Sequence, residues 1–187
     1  MDRIEVEINP QEGYVSIMNN GSGVPVQVHQ EYNVYVPDLI FGQLLTSDNY
    51  DDSEKKVTGG RNGYGAKLTN VFSTKFIVET ADSDVKQKYR QVFENNMTEK
   101  EQPELEDYDG ADFTRITFYP DLRRFAMEAL DDDIVSLMKK RVYDIAGSTD
   151  ERCKVFLNGE ELKVGSFLDY VKMYLPQRKT EDEDEDE

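Results

Sequence analysis

A glycine-rich segment at residues 58–68 constrains this chain more than any other part of its sequence. It contains four glycines in the seven residues from Gly59 to Gly65, followed by Ala66, Lys67 and Leu68. Glycines leave backbone N–H groups open to an anion, and a helix that follows adds its positive N-terminal end. The composition is that of a polyphosphate-binding loop in which Lys67 neutralises a phosphate. The alternative is a flexible surface loop.

Two common nucleotide-binding motifs do not fit this segment. Gly60 and Gly65 have the separation found in a P-loop, but Ala66-Lys67-Leu68 stands where that motif needs Gly-Lys-Ser/Thr. The hydroxyl that would bind magnesium is therefore absent from that position. The Gly-x-x-Gly-x-Gly spacing also differs from the Rossmann fingerprint. Nucleotide binding by this segment would require another fold.

A second glycine-rich segment follows an alternating stretch near the start of the chain. Residues 19–25 are Asn-Asn-Gly-Ser-Gly-Val-Pro. Asn and Gly tolerate a positive φ, so this segment taken alone favours a tight turn.

The polar and apolar pattern predicts an α+β fold, a two-layer sandwich of a mixed sheet with helices mostly on one side. The third predicted helix has acidic residues at its start, 131–133, and basic residues toward its end, 139–141, as the helix dipole favours. Gly147 is a plausible C-terminal end for this helix. Residues 95–111 are interpreted as a polar connection and 46–60 as a loop. The predicted strands are 3–8, 14–18, 75–81, 85–94, 112–119, 153–157 and 160–164, and the predicted helices are 38–45, 63–72, 134–145 and 167–175.

The charge of the chain disfavours several classes of protein. Its 22 basic and 39 acidic residues give a net charge of -17, and without the seven acidic residues 181–187 the net charge is still -10. A nucleic-acid binder with a basic face and a polybasic membrane-surface domain are both disfavoured. Cys153 has no partner for a disulfide within the chain, and no apolar run is long enough to cross a membrane. We expect a soluble, intracellular protein without a membrane partner.

Several segments of the chain resemble the ATPase domain of eukaryotic type IIA DNA topoisomerases. That domain belongs to the GHKL superfamily and has the Bergerat ATP-binding fold. The resemblance is carried by residues 19–25, 35–42, 44–52 and 56–68, with weaker matches at 72–80 and 141–145. It implies a GHKL ATPase-type domain at residues 1–175. The remaining residues, 176–187, are predicted to form an acidic, disordered tail.

The resemblance also implies roles for individual residues. Asn19 corresponds to the residue that reads the adenine amino group, and Gly21 and Gly23 let the backbone pass close to the base. Asp48 stands where the family usually carries Ser, so it either points outward or lowers nucleotide affinity by repelling the phosphates. The implied sugar and phosphate contacts are Ser47, Asp48 and Asn49, and the implied triphosphate loop consists of Gly60, Arg61, Asn62, Gly63, Tyr64, Gly65, Ala66 and Lys67.

The function implied by the resemblance is ATP binding and hydrolysis with Mg²⁺, which drive dimer-gate closure and duplex DNA passage. The family's enzyme is a nuclear homodimer that contacts DNA through other domains. Its general base and its magnesium-binding Asn lie on a helix before the first strand, and this chain begins after that point. We therefore assign neither a catalytic residue nor a metal ligand, and we expect the domain to be truncated at its N-terminus. The alternative is a nucleotide-binding or partner-binding protein that does not hydrolyse ATP.

Overall fold

The computed structural model describes residues 1–43 and 63–175. Within those ranges the chain forms strands, four α-helices and a short 3-10 helix at Leu122–Phe125. The strands are β1 (Arg3–Asn9), β2 (Tyr14–Asn19), β3 (Ser73–Asp82), β4 (Gln87–Glu94), β5 (Glu99–Lys100), β6 (Glu104–Asp107), β7 (Phe113–Pro120), β8 (Lys154–Leu157) and β9 (Glu160–Glu161). The helices are α1 (Val36–Gly42), α2 (Gly65–Val71), α3 (Asp132–Ser148) and α4 (Phe167–Lys172).

The strands form one mixed sheet, as the sequence predicts. Their order is β5-β4-β3-β7-β2-β1-β8-β9, and β6 pairs with β4 farther along the edge that β5 occupies. β1 and β8 are parallel, whereas the other pairs are antiparallel. The strands predicted at 3–8 and 14–18 form the antiparallel β1–β2 hairpin, and those predicted at 153–157 and 160–164 form the β8–β9 hairpin, in which β9 ends at Glu161.

Helices cover one face of this sheet through two apolar clusters. In the first cluster, Val135, Val142 and Ala146 of α3 pack against the inward residues of β1, β2 and β8. In the second, Phe41 of α1 packs with Phe76 of β3 and its neighbours on β4. Inward residues alternate along the strands because successive side chains point to opposite faces. The prediction of helices on one side of a mixed sheet is confirmed.

The interpretation of residues 95–111 as a connection is wrong, because β5 and β6 lie within it. All four residues of β6 are exposed and Leu105 is its one apolar residue, so the strand is too short and polar to show a period-two pattern. Its backbone pairs with β4 at residues 87–90, and Arg90 Nη1 bonds Glu104 Oε2 at 3.1 Å across the pair. The strand is formed by contacts between distant residues.

The start of α3 is confirmed, whereas the predicted position of its basic residues is wrong. Asp131 caps the helix by accepting a hydrogen bond from the backbone N–H of Ile134 at 2.9 Å. The helix continues to Ser148, so residues 139–141 lie in its middle and its last turn has no basic residue. Within the described ranges, no helix is both long and apolar enough to cross a membrane.

Candidate nucleotide-binding site

Asn19 ends β2 on the face of the sheet that carries the helices. It pairs with Thr114 of β7, and the hydroxyls of Thr114 and Thr80 of β3 lie 3.0 Å apart in the same cross-strand row. The Oδ1 atom of Asn19 accepts a hydrogen bond from the backbone N–H of Gly21 at 3.0 Å. A carbonyl oxygen can accept a second bond, so Asn19 keeps the capacity to receive a ligand amino group.

The segment after Asn19 folds back tightly over the end of β3. The backbone N–H of Val24 donates to Thr80 Oγ1 at 3.2 Å, and that of Val26 donates to Asp82 Oδ2 at 3.0 Å. Gly23 has a φ of +73°, and a Cβ atom there would lie 2.8 Å from the Ala81 carbonyl oxygen. The segment is therefore a tight turn that requires glycine, and the turn places Gly21 beside Asn19.

Next to Asn19 the helix face of the sheet has an apolar floor that none of the described helices covers. Ile17 lies two residues before Asn19 on the same face and is 38% exposed, although its β1 partner Val6 is buried. Its other neighbour, Ile116 of β7, is half-buried. α3 covers the sheet on one side of this floor, whereas α1 covers it on the other. A flat apolar ring can lie on such a floor while Asn19 contacts its polar edge.

Lys67 lies in the first turn of α2 and is buried, with 1% of its surface exposed. Burial lowers the pKa of its ammonium group, because the charged form loses its hydration. A phosphate beside it would favour the charged form. Just before the helix, Gly63 adopts a φ of +64°. Tyr64, Gly65 and Ala66 are exposed to solvent.

Six of the predicted site residues lie outside the described ranges. They are Ser47, Asp48, Asn49, Gly60, Arg61 and Asn62. Their predicted contacts with sugar and phosphates stay predictions, and so do the two alternatives for Asp48.

Sequence reasoning missed Thr80, Thr114 and Ile17. Thr80 is fully buried at a position where the preceding inward residues of β3, Phe76 and Val78, are apolar. The sequence could have indicated Thr80, because a hydroxyl at an inward position of an alternating strand is a buried polar group that needs a partner. No feature of the sequence indicates that Ile17 is exposed, because it occupies an ordinary inward position of β2.

Two of the cavities lined by described residues lie outside the residues predicted for the site. An apolar cavity of about 440 Å³ separates α2 from α3 and is lined by residues such as Leu68, Phe118 and Ile134. A larger, polar hollow of about 870 Å³ lies on the opposite face of the sheet, against Glu5 and Arg115. Neither is lined by Asn19 or Lys67, so we place the candidate site at the floor beside Asn19 and not at the larger hollow.

Within residues 1–43 and 63–175, no group of three or more His, Cys, Asp or Glu side chains could hold a metal ion. Asp131, Asp132 and Asp133 begin α3, as expected of charges at a helix start.

Known proteins match this chain closely. A probable DNA topoisomerase 2 from Dictyostelium discoideum is 56% identical over 177 residues, which are 94% of this chain and 12% of that protein. The crystallised ATPase region of Saccharomyces cerevisiae topoisomerase II is 53% identical with a TM-score of 0.90, over 93% of this chain and 46% of that one. No protein-family model matches.

The chain belongs to the eukaryotic type II DNA topoisomerase family and corresponds to part of its ATPase region. It spans about an eighth of the length of the curated topoisomerase it matches and just under half of the crystallised yeast ATPase region. The 43K ATPase domain of Thermus thermophilus gyrase B shares the fold with a TM-score of 0.64 at 23% identity, over 86% of this chain and 39% of that one. The predicted GHKL fold of a topoisomerase II ATPase region is therefore confirmed.

Proposed function

We propose that this chain binds ATP and serves as part of the ATPase of a DNA topoisomerase II. In that role, ATP binding and hydrolysis drive dimer-gate closure and the passage of one DNA duplex through another. The observation that carries the proposal is the 53% identity, over 93% of the chain, to a crystallised topoisomerase II ATPase region. The uncovered floor beside Asn19 and the buried Lys67 support it independently.

The proposed roles follow from the chemistry of each group. The adenine ring lies on Ile17, and Asn19 Oδ1 accepts a hydrogen bond from the adenine amino group. Lys67 compensates phosphate charge, which a buried ammonium does more strongly than one in water. Ser47, Asp48 and Asn49 contact the sugar and phosphates, and Gly60, Arg61 and Asn62 continue the phosphate-binding loop to Lys67.

The remaining parts of the proposal concern partners. Mg²⁺ accompanies the triphosphate, held by phosphate oxygens and water. DNA is contacted by other parts of a nuclear, homodimeric enzyme. The strongly acidic composition of this chain is consistent with that division of labour, since a DNA-binding surface needs a basic face.

Isothermal titration with a non-hydrolysable ATP analogue, combined with a steady-state ATPase assay, tests the proposal. Saturable binding of one analogue per chain is the expected result. Binding without turnover would favour a nucleotide-binding protein without hydrolysis. Absence of binding would overturn the proposed site.

Replacing Lys67 separates its phosphate role from its packing. Lys67→Met keeps most of the buried volume but removes the charge, and we expect the analogue to bind about tenfold or more weakly, the loss typical of a hydrogen bond to a charged group. Lys139→Met, at an exposed position on α3, is the matched control and should bind like the parent. Equal affinity of Lys67→Met and the parent would show that Lys67 does not contact the phosphates.

A further inference from the structure

Asp38 is the most buried carboxylate among the ion pairs that the structure shows in the described ranges. It lies in the first turn of α1, and 8% of its side chain is exposed. Its Oδ2 atom accepts a hydrogen bond from Lys100 Nζ at 2.7 Å, and 47% of the Lys100 side chain is exposed. A carboxylate that leaves water needs an opposite charge or several hydrogen bonds to remain ionised.

Within the described residues, Lys100 is the partner that Asp38 depends on. The second carboxylate oxygen, Oδ1, is buried and has no hydrogen-bond partner among residues 1–43 and 63–175. Gly42 of the same helix packs closely against both groups, since a Cβ atom added there would lie 2.7 Å from Oδ1 and 2.6 Å from the Phe93 ring. The carboxylate cannot readily turn toward a substitute partner, because protein interiors are close-packed.

Lys100 is itself anchored to the sheet. It pairs with Phe93 as part of β5, and the next residue, Glu101, is held to β4 at two points. The Glu101 N–H donates to the Val92 carbonyl oxygen at 2.9 Å, and the Gln91 amide donates to the Glu101 carbonyl oxygen at 3.1 Å. The ion pair therefore joins α1 to a fixed edge of the sheet.

α1 is connected in turn to the helix that carries Lys67. The buried side-chain amide of Asn70, in α2, donates to the Phe41 carbonyl oxygen of α1 at 3.1 Å. α1 ends at Gly42 and α2 begins at Gly65, so the two helices flank the stretch that contains most of the proposed phosphate contacts. A shift of α1 would consequently move α2 and Lys67.

We propose that Asp38 and Lys100 are positioning residues for nucleotide binding: their ion pair fixes α1 against β5 and, through Asn70, fixes α2 and Lys67 for the phosphates. This inference rests on the proposed ATP-binding function. Lys100 does not touch the nucleotide. Its removal acts by leaving the Asp38 carboxylate buried and uncompensated, which displaces the first turn of α1.

Rescue by a second substitution tests this mechanism. Lys100→Met should weaken binding of a non-hydrolysable ATP analogue roughly 2- to 30-fold, the range of coupling carried by packed elements. Asp38→Leu combined with Lys100→Met should restore the affinity, because an apolar pair leaves no unpaired charge. Lys100→Arg should retain it. The matched control is Lys154→Met, which removes a lysine from an exposed strand pair with Glu161 on the other edge of the sheet.

Affinities are measured by isothermal titration below the melting temperature of every variant. If Lys100→Met does not fold, Lys100→Gln replaces it, because Gln removes the positive charge and is one bond too short to keep the 2.7 Å contact with Asp38 Oδ2. If the parent chain does not bind the analogue, the proposed function fails and this inference fails with it. If the parent binds and Lys100→Met or Lys100→Gln binds equally well, this inference alone is overturned. Failure of the double variant to recover affinity also overturns it, because the loss would then not arise from the unpaired carboxylate.

Discussion

Two glycines with the same backbone dihedral show how a neighbour changes what a residue tolerates. Gly13 and Gly23 both have a φ of +73°, which L side chains rarely adopt. Around Gly13 a Cβ atom would meet nothing within 4 Å, whereas at Gly23 it would approach the Ala81 carbonyl oxygen to 2.8 Å. The requirement at Gly13 is conformational, and at Gly23 it is conformational and steric.

Alanine substitutions separate these two requirements. We expect Gly13→Ala to lower the free energy of unfolding by about 1 kcal/mol through the left-handed backbone. Gly23→Ala should cost about 1–3 kcal/mol more, as overpacking typically does, and should also weaken analogue binding by displacing Asn19. Urea denaturation of both variants measures the difference. Equal costs would mean that the turn moves away from β3 without penalty.

Among the elements, α4 depends on α3 for its position. Gly147 of α3 faces the Tyr170 ring of α4, and a Cβ atom there would lie 2.6 Å from it. The Tyr170 hydroxyl donates to Asp144, which also accepts from Lys140 Nζ at 2.7 Å. These bonds, chiefly that from Lys140 and then that from Tyr170, lower the pKa of Asp144 to about 2.

The contribution of Asp144 should depend on pH. A carboxylate whose pKa falls from 3.8 to about 2 on folding stabilises the folded chain above pH 3.8, and this stabilisation is lost as the pH falls through about 2. We therefore expect Asp144→Asn to melt below the parent at pH 7, with the gap closing on acidification. Thermal denaturation across that pH range measures this effect.

Hydrogen exchange provides the control for the attachment of α4. Asp144→Asn should increase exchange of the α4 amides. Asp150→Asn should not, although the pKa of Asp150 is also lowered to about 2, because its partner Arg152 lies in the same turn. Unchanged exchange in Asp144→Asn would show that packing alone holds α4.

The whole molecule carries a net charge of -17, so like charges repel one another across its surface. Ion pairs such as Arg90–Glu104 and Lys88–Glu79 offset part of this repulsion along the sheet. Ion pairs near the surface contribute little individually. Added salt should therefore weaken the remaining repulsion between acidic residues and stabilise the folded chain.

We expect the melting temperature to rise as sodium chloride increases from about 0.01 to 0.15 M, over which the Debye length falls from about 30 to 8 Å. Differential scanning fluorimetry measures the rise. A chain that ends at residue 180, and so lacks seven acidic residues and has a net charge of -10, is the control and should respond less. A melting temperature independent of salt would mean that local ion pairs already balance the surface.

Local patterns predicted much of the fold and part of the candidate site. The alternation in β1 and β3, the apolar spacing of α3 and the acidic residues at its start each involve residues close in sequence, so they were recognisable without the structure. The same holds for the turn at Gly23. By contrast, β6 has four exposed residues, and its pairing with β4 depends on backbone groups that every sequence shares.

The sequence by itself determined the mixed α+β architecture, the acidic character, the turn after Asn19 and the resemblance to a family of ATPases, because periodicity, charge and backbone sterics act locally. Only the tertiary structure decided that Ile17 stays uncovered, that the Thr80 and Thr114 hydroxyls meet, and that Lys100 neutralises Asp38. Asp38 and Lys100 are 62 residues apart. Contacts at such separations depend on strand order and helix packing, which neither partner's local sequence specifies.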